Sequence, residues 1–415
     1  MINFLKAWRD KMFFPDKISA EKIIKKYNTP VFVTDKKSLD NQVQLIKKHS
    51  LENIKIFYAM KANYNPSIIK ILKKSGIDGI DAVSPFEIEL AKRCGFTKKQ
   101  IIFTGNNSSN DELREVFKQG ITPNIGSLSE LERFGSMFSG ADISIRFNSG
   151  IGAGESRYVV TGGSKSKFGI LEDDLKEVKN IIEKYNLNVV GIHSHIGSGF
   201  YQAKIFKNSV RSILKIASNF RNLEFVDLGG GFGVRYDPKS TSIDLEEFFN
   251  AIKNDIKEFI KNNGRPVDVI IEPGKFLVAE STCMLTKVTN IKNNGSTIFI
   301  GTDTGINHII RPALYSAYHH VINVSNPTAP QKKVTIVGNI CESSDVLCRD
   351  IKMPLPVEGD ILAILTTGAY CASMSSLYNL RPYATEVLFD NGKITETRKS
   401  LNFNQTISSL GFPAI

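Results

Sequence analysis

The 415-residue sequence contains no apolar run near the ~20 residues needed to span a bilayer, so a membrane partner is not expected. It has only five cysteines, Cys94, Cys283, Cys341, Cys348 and Cys371. They are scattered and odd in number, and no Cys-x-x-Cys pair occurs. That argues against a disulfide framework or a structural zinc and for a reducing, cytoplasmic setting. No internal repeat or low-complexity linker stands out. The stretch Met1 to Phe14 lacks a continuous apolar core and a small-residue cleavage site. It reads as a short amphipathic helix rather than a signal peptide. Net charge is +11, yet the lysines are interleaved with acids along helical stretches, as at Lys22, Lys25 and Lys26 or from Lys176 to Lys184. They read as solvated faces, and no nucleic-acid partner is expected. A positive field would still attract an anionic substrate or cofactor.

What is present is an ordinary globular composition, 41% hydrophobic and 23% charged, over a length that suggests two domains. From Ile54 to Pro273 short apolar runs alternate with longer amphipathic ones. The strand candidates are Ile54–Ala59, Gly79–Val83, Ile101–Thr104, Thr122–Gly126, Ile143–Phe147, Val189–His193, Glu224–Leu228 and Val267–Ile271. Helix-like segments follow each of the first seven, and the eighth is weak because Glu272-Pro273-Gly274 interrupts it. This pattern predicts an eightfold β/α (TIM-like) barrel over 36–280, with an open doubly wound sheet as the alternative. After 281 strands crowd together with little helix. A C-terminal all-β domain, barrel or sandwich, is expected over 281–415. Asp390-Asn391-Gly392 marks a hairpin within it. The apolar run Pro30–Thr34, within the N-terminal segment 1–35, is expected to pair with that domain.

Four strand ends carry chemistry. Lys61 follows the first strand, where a rigidly held amine can lose its proton and form a Schiff base with a carbonyl. His193-Ser194-His195-Ile196-Gly197-Ser198 closes the sixth strand. A histidine there can stack on a flat ring or donate a proton, and the spacing does not decide between His193 and His195. No third or fourth ligand is grouped nearby in sequence, so no metal is expected. Asp227-Leu228-Gly229-Gly230-Gly231 closes the seventh strand, a common place for a phosphate in such barrels. Glu272-Pro273-Gly274-Lys275 closes the eighth, where a carboxylate could keep a pyridine nitrogen protonated.

In that order and spacing, the four motifs resemble the fold-type III pyridoxal-phosphate decarboxylases, and within them the branch that acts on diaminopimelate. The resemblance continues through Asp303-Thr304-Gly305, Ile310-Arg311-Pro312-Ala313-Leu314-Tyr315, Cys341-Glu342-Ser343-Ser344-Asp345, Gly368-Ala369-Tyr370 and Arg381-Pro382. It runs from about Pro30 to Val387. It implies pyridoxal 5'-phosphate as cofactor and a small amino acid as substrate, with meso-diaminopimelate converted to lysine. Lys61 would hold the cofactor covalently and His195 would stack on its ring. Ser198, Gly229, Gly230, Gly231 and the backbone after Glu272 (Gly274 and Lys275) would bind its phosphate, helped by Tyr370. Arg311, Tyr315, Lys275 and Tyr370 would contact the substrate. Cys341 would donate a proton and Glu342 would recognise the distal ammonium. In that family these last two come from a second subunit, which implies a homodimer with shared active sites. The sequence departs from the pattern at Lys275, where relatives carry arginine. Ornithine, arginine and D-lysine decarboxylases of the same fold remain the rival reading.

Overall fold

A computed structural model describes residues 13–163, 166–237 and 239–412. The helix expected over Met1–Phe14 therefore lies almost wholly outside the described residues. The chain forms two compact units. One comprises Gln42–Val234 and Ser242–Phe276. The other comprises the residues up to Asn41, Arg235–Thr241 and those from Leu277 on.

The first unit is built on eight parallel strands: Ile54–Ala59, Gly79–Ala82, Ile101–Phe103, Asn124–Ile125, Asp142–Asn148, Asn188–His193, Phe225–Asp227 and Asp268–Ile271. Each pairs in parallel with the next, and the eighth returns to the first through Val269 opposite Ile54. The step from third to fourth is a single parallel bridge, Phe103 to Pro123. The sheet is thus closed, and the barrel reading prevails over the open sheet. The strands are nearly continuous runs of buried residues, as strands covered on both faces must be. One additional short strand, Ile170–Leu171, adds to the fifth.

Helices return the chain between strands, and their starts are written in the sequence. Ser84 caps Pro85–Arg93 by accepting from the Glu87 amide. Ser109 and Glu112 form a reciprocal capping box on Asn110–Lys118. Helix Ala203–Ala217 and helix Leu245–Asn263 carry Phe206 and Phe248, which pack with Phe200 and Phe232 at ring-centroid separations of 5.7–6.3 Å. Phe200 and Phe232 lie in the turns that follow the sixth and seventh strand ends. Each such ring pair contributes roughly 0.5–1.5 kcal/mol beyond its buried area, so the cluster anchors both site turns to the helices behind them.

The second unit is a mixed nine-stranded sheet with the long strand Thr282–Asn294 at its centre. Val31–Asp35 pairs antiparallel with it and parallel with Thr385–Asp390, which is the pairing expected for Pro30–Thr34. Alternation sends successive side chains to opposite faces. Val31, Val33, Cys283 and Leu285 therefore enter one apolar cluster, and Phe32 and Met284 enter the other. The expected hairpin is present: Asn391 and Gly392, both with positive φ, connect Thr385–Asp390 to Lys393–Arg398. No helix among the described residues is long and apolar enough to cross a membrane.

Candidate active site

The C-terminal ends of the barrel strands bring the sequence-marked residues together. Lys61 lies in a single 3-10 turn that ends the first strand, and its Nζ is 2.6 Å from Asp81 at the end of the second. Asp81 is fully buried and also accepts from the Thr104 hydroxyl. Burial pushes its carboxyl up and the charge on Glu272 adds to this, whereas Lys61 pulls it down. Next to it Glu87 accepts from the Val83 amide at 2.8 Å.

The two histidines of the sixth strand end divide the work. His193 Nε2 lies 3.3 Å from Glu272 Oε2, and both groups are buried. His195 Nδ1 accepts from the Gly230 amide at 3.1 Å, which fixes its tautomer with any proton on Nε2. Burial lowers both imidazoles well below the usual range, and Arg146 lowers them further, so both rings are neutral at pH 7. Arg146, on the fifth strand in register with His193, stacks on Phe168 at 4.6 Å.

Asp227 and Glu272 are the buried acids of the seventh and eighth strand ends. Burial pushes both up. Glu272's charge raises Asp227 well above the carboxylate range, while Lys61 and Arg146 hold Glu272 lower. His193, Asp227 and Glu272 place one nitrogen or oxygen each within 4.8 Å of one another. Of the two histidines only His193 belongs to this group, and its partners come from adjacent strands, which spacing along the sequence does not reveal.

The turn Gly229–Gly231 runs against backbone on three sides. A Cβ at Gly230 would lie 1.9 Å from the Glu272 carbonyl oxygen, at Gly231 2.0 Å from that of Gly197, and at Gly229 2.5 Å from that of Ser194. Gly274 is less tightly confined, with a Cβ there 3.0–3.1 Å from Ala59 and Ala62. Ser198 lies in the neighbouring turn, and Lys275 is buried and ion-paired with Glu155 at 2.6 Å. Sequence reasoning misses Asp81, Arg146 and Glu155. Asp81 and Arg146 sit at or beside strand ends, and that position is the signal that marks them.

The other predicted residues belong to the second unit. Arg311 is 1% exposed. It donates to His319 Nε2 at 3.0 Å, while His319 Nδ1 donates to the Leu365 carbonyl, and its guanidinium lies 4.4 Å over the Tyr236 ring. Tyr315 ends the same short helix, Arg311–Tyr315. Cys341 is exposed, and its amide donates to Asn379 Oδ1; Glu342 accepts from the Tyr378 hydroxyl at 2.5 Å. Asp345 holds this segment by accepting from the Ile306 and Ile340 amides at 2.8 and 2.7 Å. Tyr370 has φ +57°, a conformation that costs a non-glycine residue energy and that clusters at functional positions. The other four cysteines are buried, as small apolar side chains.

A closed barrel with an amine, a neutral imidazole, a tight glycine turn and a buried carboxylate at its strand ends is the arrangement expected of a pyridoxal-type site. Residues 36–279 match the family "Pyridoxal-dependent decarboxylase, pyridoxal binding domain". Full-length relatives narrow this further. Diaminopimelate decarboxylase of Methanothermobacter thermautotrophicus is 38% identical over 95% of this chain and 94% of its own length. That of Escherichia coli K12 is 33% identical over 95% and 96%. The crystal structure of diaminopimelate decarboxylase from Helicobacter pylori complexed with L-lysine superposes with a TM-score of 0.86 at 32% identity, covering 94% of this chain and 99% of that one. The chain belongs to the diaminopimelate decarboxylase family of pyridoxal-dependent decarboxylases.

Proposed function

We infer that this chain decarboxylates meso-2,6-diaminopimelate to L-lysine and CO2 with pyridoxal 5'-phosphate as cofactor, the last step of lysine biosynthesis. One observation carries the reading beyond similarity. Lys61 is pinned to a buried acid at one strand end, and Glu272 at another is a buried carboxylate beside His193 and Asp227. A buried carboxylate at that place could pair with a protonated pyridine nitrogen. The turn at Gly229–Gly231 is too tight for any side chain, so backbone there could approach a phosphate closely, while the Gly229 and Gly230 amides donate to Asp227 and His195. The residues present therefore fit the cofactor.

Pyridoxal phosphate, when bound, supplies a conjugated cationic ring that accepts the electron pair left by departing CO2. The residues supply the rest. Lys61 would hold the aldehyde covalently. Glu272 would keep the ring nitrogen protonated, with neutral His193 donating to its other oxygen. His195, fixed by the Gly230 amide, would pack on the ring. Ser198, Gly229, Gly230, Gly231 and Gly274 would bind the phosphate, with Tyr370 assisting. Lys275 would add positive charge toward ligand oxyanions. Arg311 and Tyr315 would hold the substrate's distal carboxylate, Glu342 its distal ammonium, and Cys341 would protonate the carbon that lost CO2.

A proton donor of this kind works in a site closed to water, yet Cys341 is exposed on the single chain. This supports a homodimer in which each chain lends Cys341 and Glu342 to its partner. The free, unpaired cysteines also favour a cytoplasmic location. Lys275, standing where relatives carry arginine, favours one alternative, a same-fold decarboxylase of another basic amino acid. Carbon dioxide release from meso-diaminopimelate, ornithine and D-lysine separates the two. For the cofactor assignment, Lys61→Ala is expected to abolish both turnover and borohydride-fixed cofactor; retention of either refutes it.

A further inference from the structure

The ion pair between Lys275 and Glu155 has no place among these roles. Glu155 lies in the connection that follows the fifth barrel strand, and this connection is strapped onto the turn after the sixth. The Ala153 and Thr161 amides donate to the Ile196 carbonyl at 3.0 and 3.2 Å, and the Glu155 amide donates to the Ser198 carbonyl at 3.0 Å. The Ser198 amide donates in return to the Val159 carbonyl at 3.0 Å, and the Thr161 hydroxyl to the His195 carbonyl at 2.9 Å. Gly199 lies beneath Glu155: a Cβ there would meet its side chain at 2.7–2.9 Å. Held in this way, the Glu155 carboxylate reaches Lys275 Nζ at 2.6 Å. The Lys275 side chain is 3% exposed and that of Glu155 22%. An ammonium buried so deeply needs a counter-charge. Here Glu155 of that connection supplies one.

We propose that Glu155 is an internal anion occupying Lys275, and that a ligand oxyanion binds there in competition with it. Glu155 thereby sets the anion affinity of the site. The proposal rests on the reading that Lys275 faces a ligand oxyanion. The identity of residue 275 makes the competition sharp. A guanidinium has five donors in a planar fork and can serve two anions, whereas an ammonium is a compact point charge with three. The shared chemistry is an oxyanion, and two sources offer one: the cofactor's phosphate and the substrate's carboxylate.

The test uses the full-length chain. Cofactor-free protein is titrated with pyridoxal phosphate and with pyridoxal, followed by absorbance. Cofactor-loaded protein is titrated with glutarate, followed by calorimetry. Glu155→Gln keeps the shape and removes one negative charge beside the site, and is expected to tighten oxyanion binding about tenfold. Tighter pyridoxal phosphate with unchanged pyridoxal assigns the phosphate. Tighter glutarate with unchanged pyridoxal phosphate assigns the carboxylate. Glu155→Asp, which keeps the charge, is expected to stay near wild type. Lys275→Gln is expected to weaken the same ligand, and adding Glu155→Gln to it to change nothing more. Weaker binding by Glu155→Gln overturns the proposal, because Glu155 would then merely position Lys275; unchanged affinity for every ligand overturns it too. A wild-type chain that binds no pyridoxal phosphate brings down the underlying reading and this proposal with it, so the two failures are distinguishable.

Discussion

Glu87 carries a titration that reaches physiological pH. Burial raises its carboxyl to about 7, Asp81's charge adds to this, and the Val83 amide and Lys61 oppose it. An unfolded glutamate releases its proton near pH 4.5. Between those values the folded chain binds more protons than the unfolded one, so stability from this group falls as pH rises and is fully lost above about 7. The ceiling on the effect is about 3 kcal/mol. Glu87→Gln keeps a carbonyl for the Val83 amide and removes the titration. Its urea midpoint should exceed wild type at pH 8 and match it at pH 4.5; an equal difference at both would discard the assignment. Cys341 is a residue-scale matter of chemistry rather than stability. Cys341→Ala should leave cofactor bound and slow turnover by at least ~10²-fold, the scale of a lost general acid. An unchanged single-turnover rate would remove it from the mechanism.

At the scale of elements, the site depends on how closely the seventh and eighth strand ends approach. Gly230→Ala would drive a methyl into the Glu272 carbonyl, and two backbones cannot both give way cheaply. Overpacking of this kind costs roughly 1–3 kcal/mol. It would also part the cradle from Glu272, so cofactor affinity should fall at least tenfold on the same scale. Gly264→Ala is the control. Its φ is +73° with nothing within 4 Å, so it should cost about 1 kcal/mol of stability and leave cofactor affinity alone. Equal affinities for the two variants would refute the steric reading. The same strand ends explain what could be read in advance. Ile54–Ala59 and Asn188–His193 are apolar runs ending in a lysine or histidine, so strand and site residue announce each other. Landmarks of that kind are missing at Ile170–Leu171, which spans only two residues, below any useful period; Asn124–Ile125 is as short but lies inside the expected run Thr122–Gly126. Asp81 looks like a strand-ending acid until the second strand is laid beside Lys61. Arg146 reads as a surface arginine until the fifth strand is buried. Glu155 is invisible in the sequence because its partner lies 120 positions away.

For the whole molecule, the decisive question is whether one chain holds a complete site. Lys61 and Cys341 are assigned to one reaction, and in the proposed homodimer they meet from different chains. Two inactive variants then become a test. In an equal mixture of Lys61→Ala and Cys341→Ala chains that exchange freely, half the dimers are mixed. Each mixed dimer has one composite site with both lesions and one with neither, so about one quarter of all sites are intact. Turnover should recover to about that fraction of wild type after mixing, rise with the time allowed for subunit exchange, and disappear when exchange is blocked by cross-linking each variant beforehand. If Cys341 instead serves the Lys61 of its own chain, every site in every dimer carries a lesion and no mixing restores activity. Recovery therefore reports on chain-to-chain sharing, and its absence from an exchanging mixture would reassign the proton donor to its own chain's barrel.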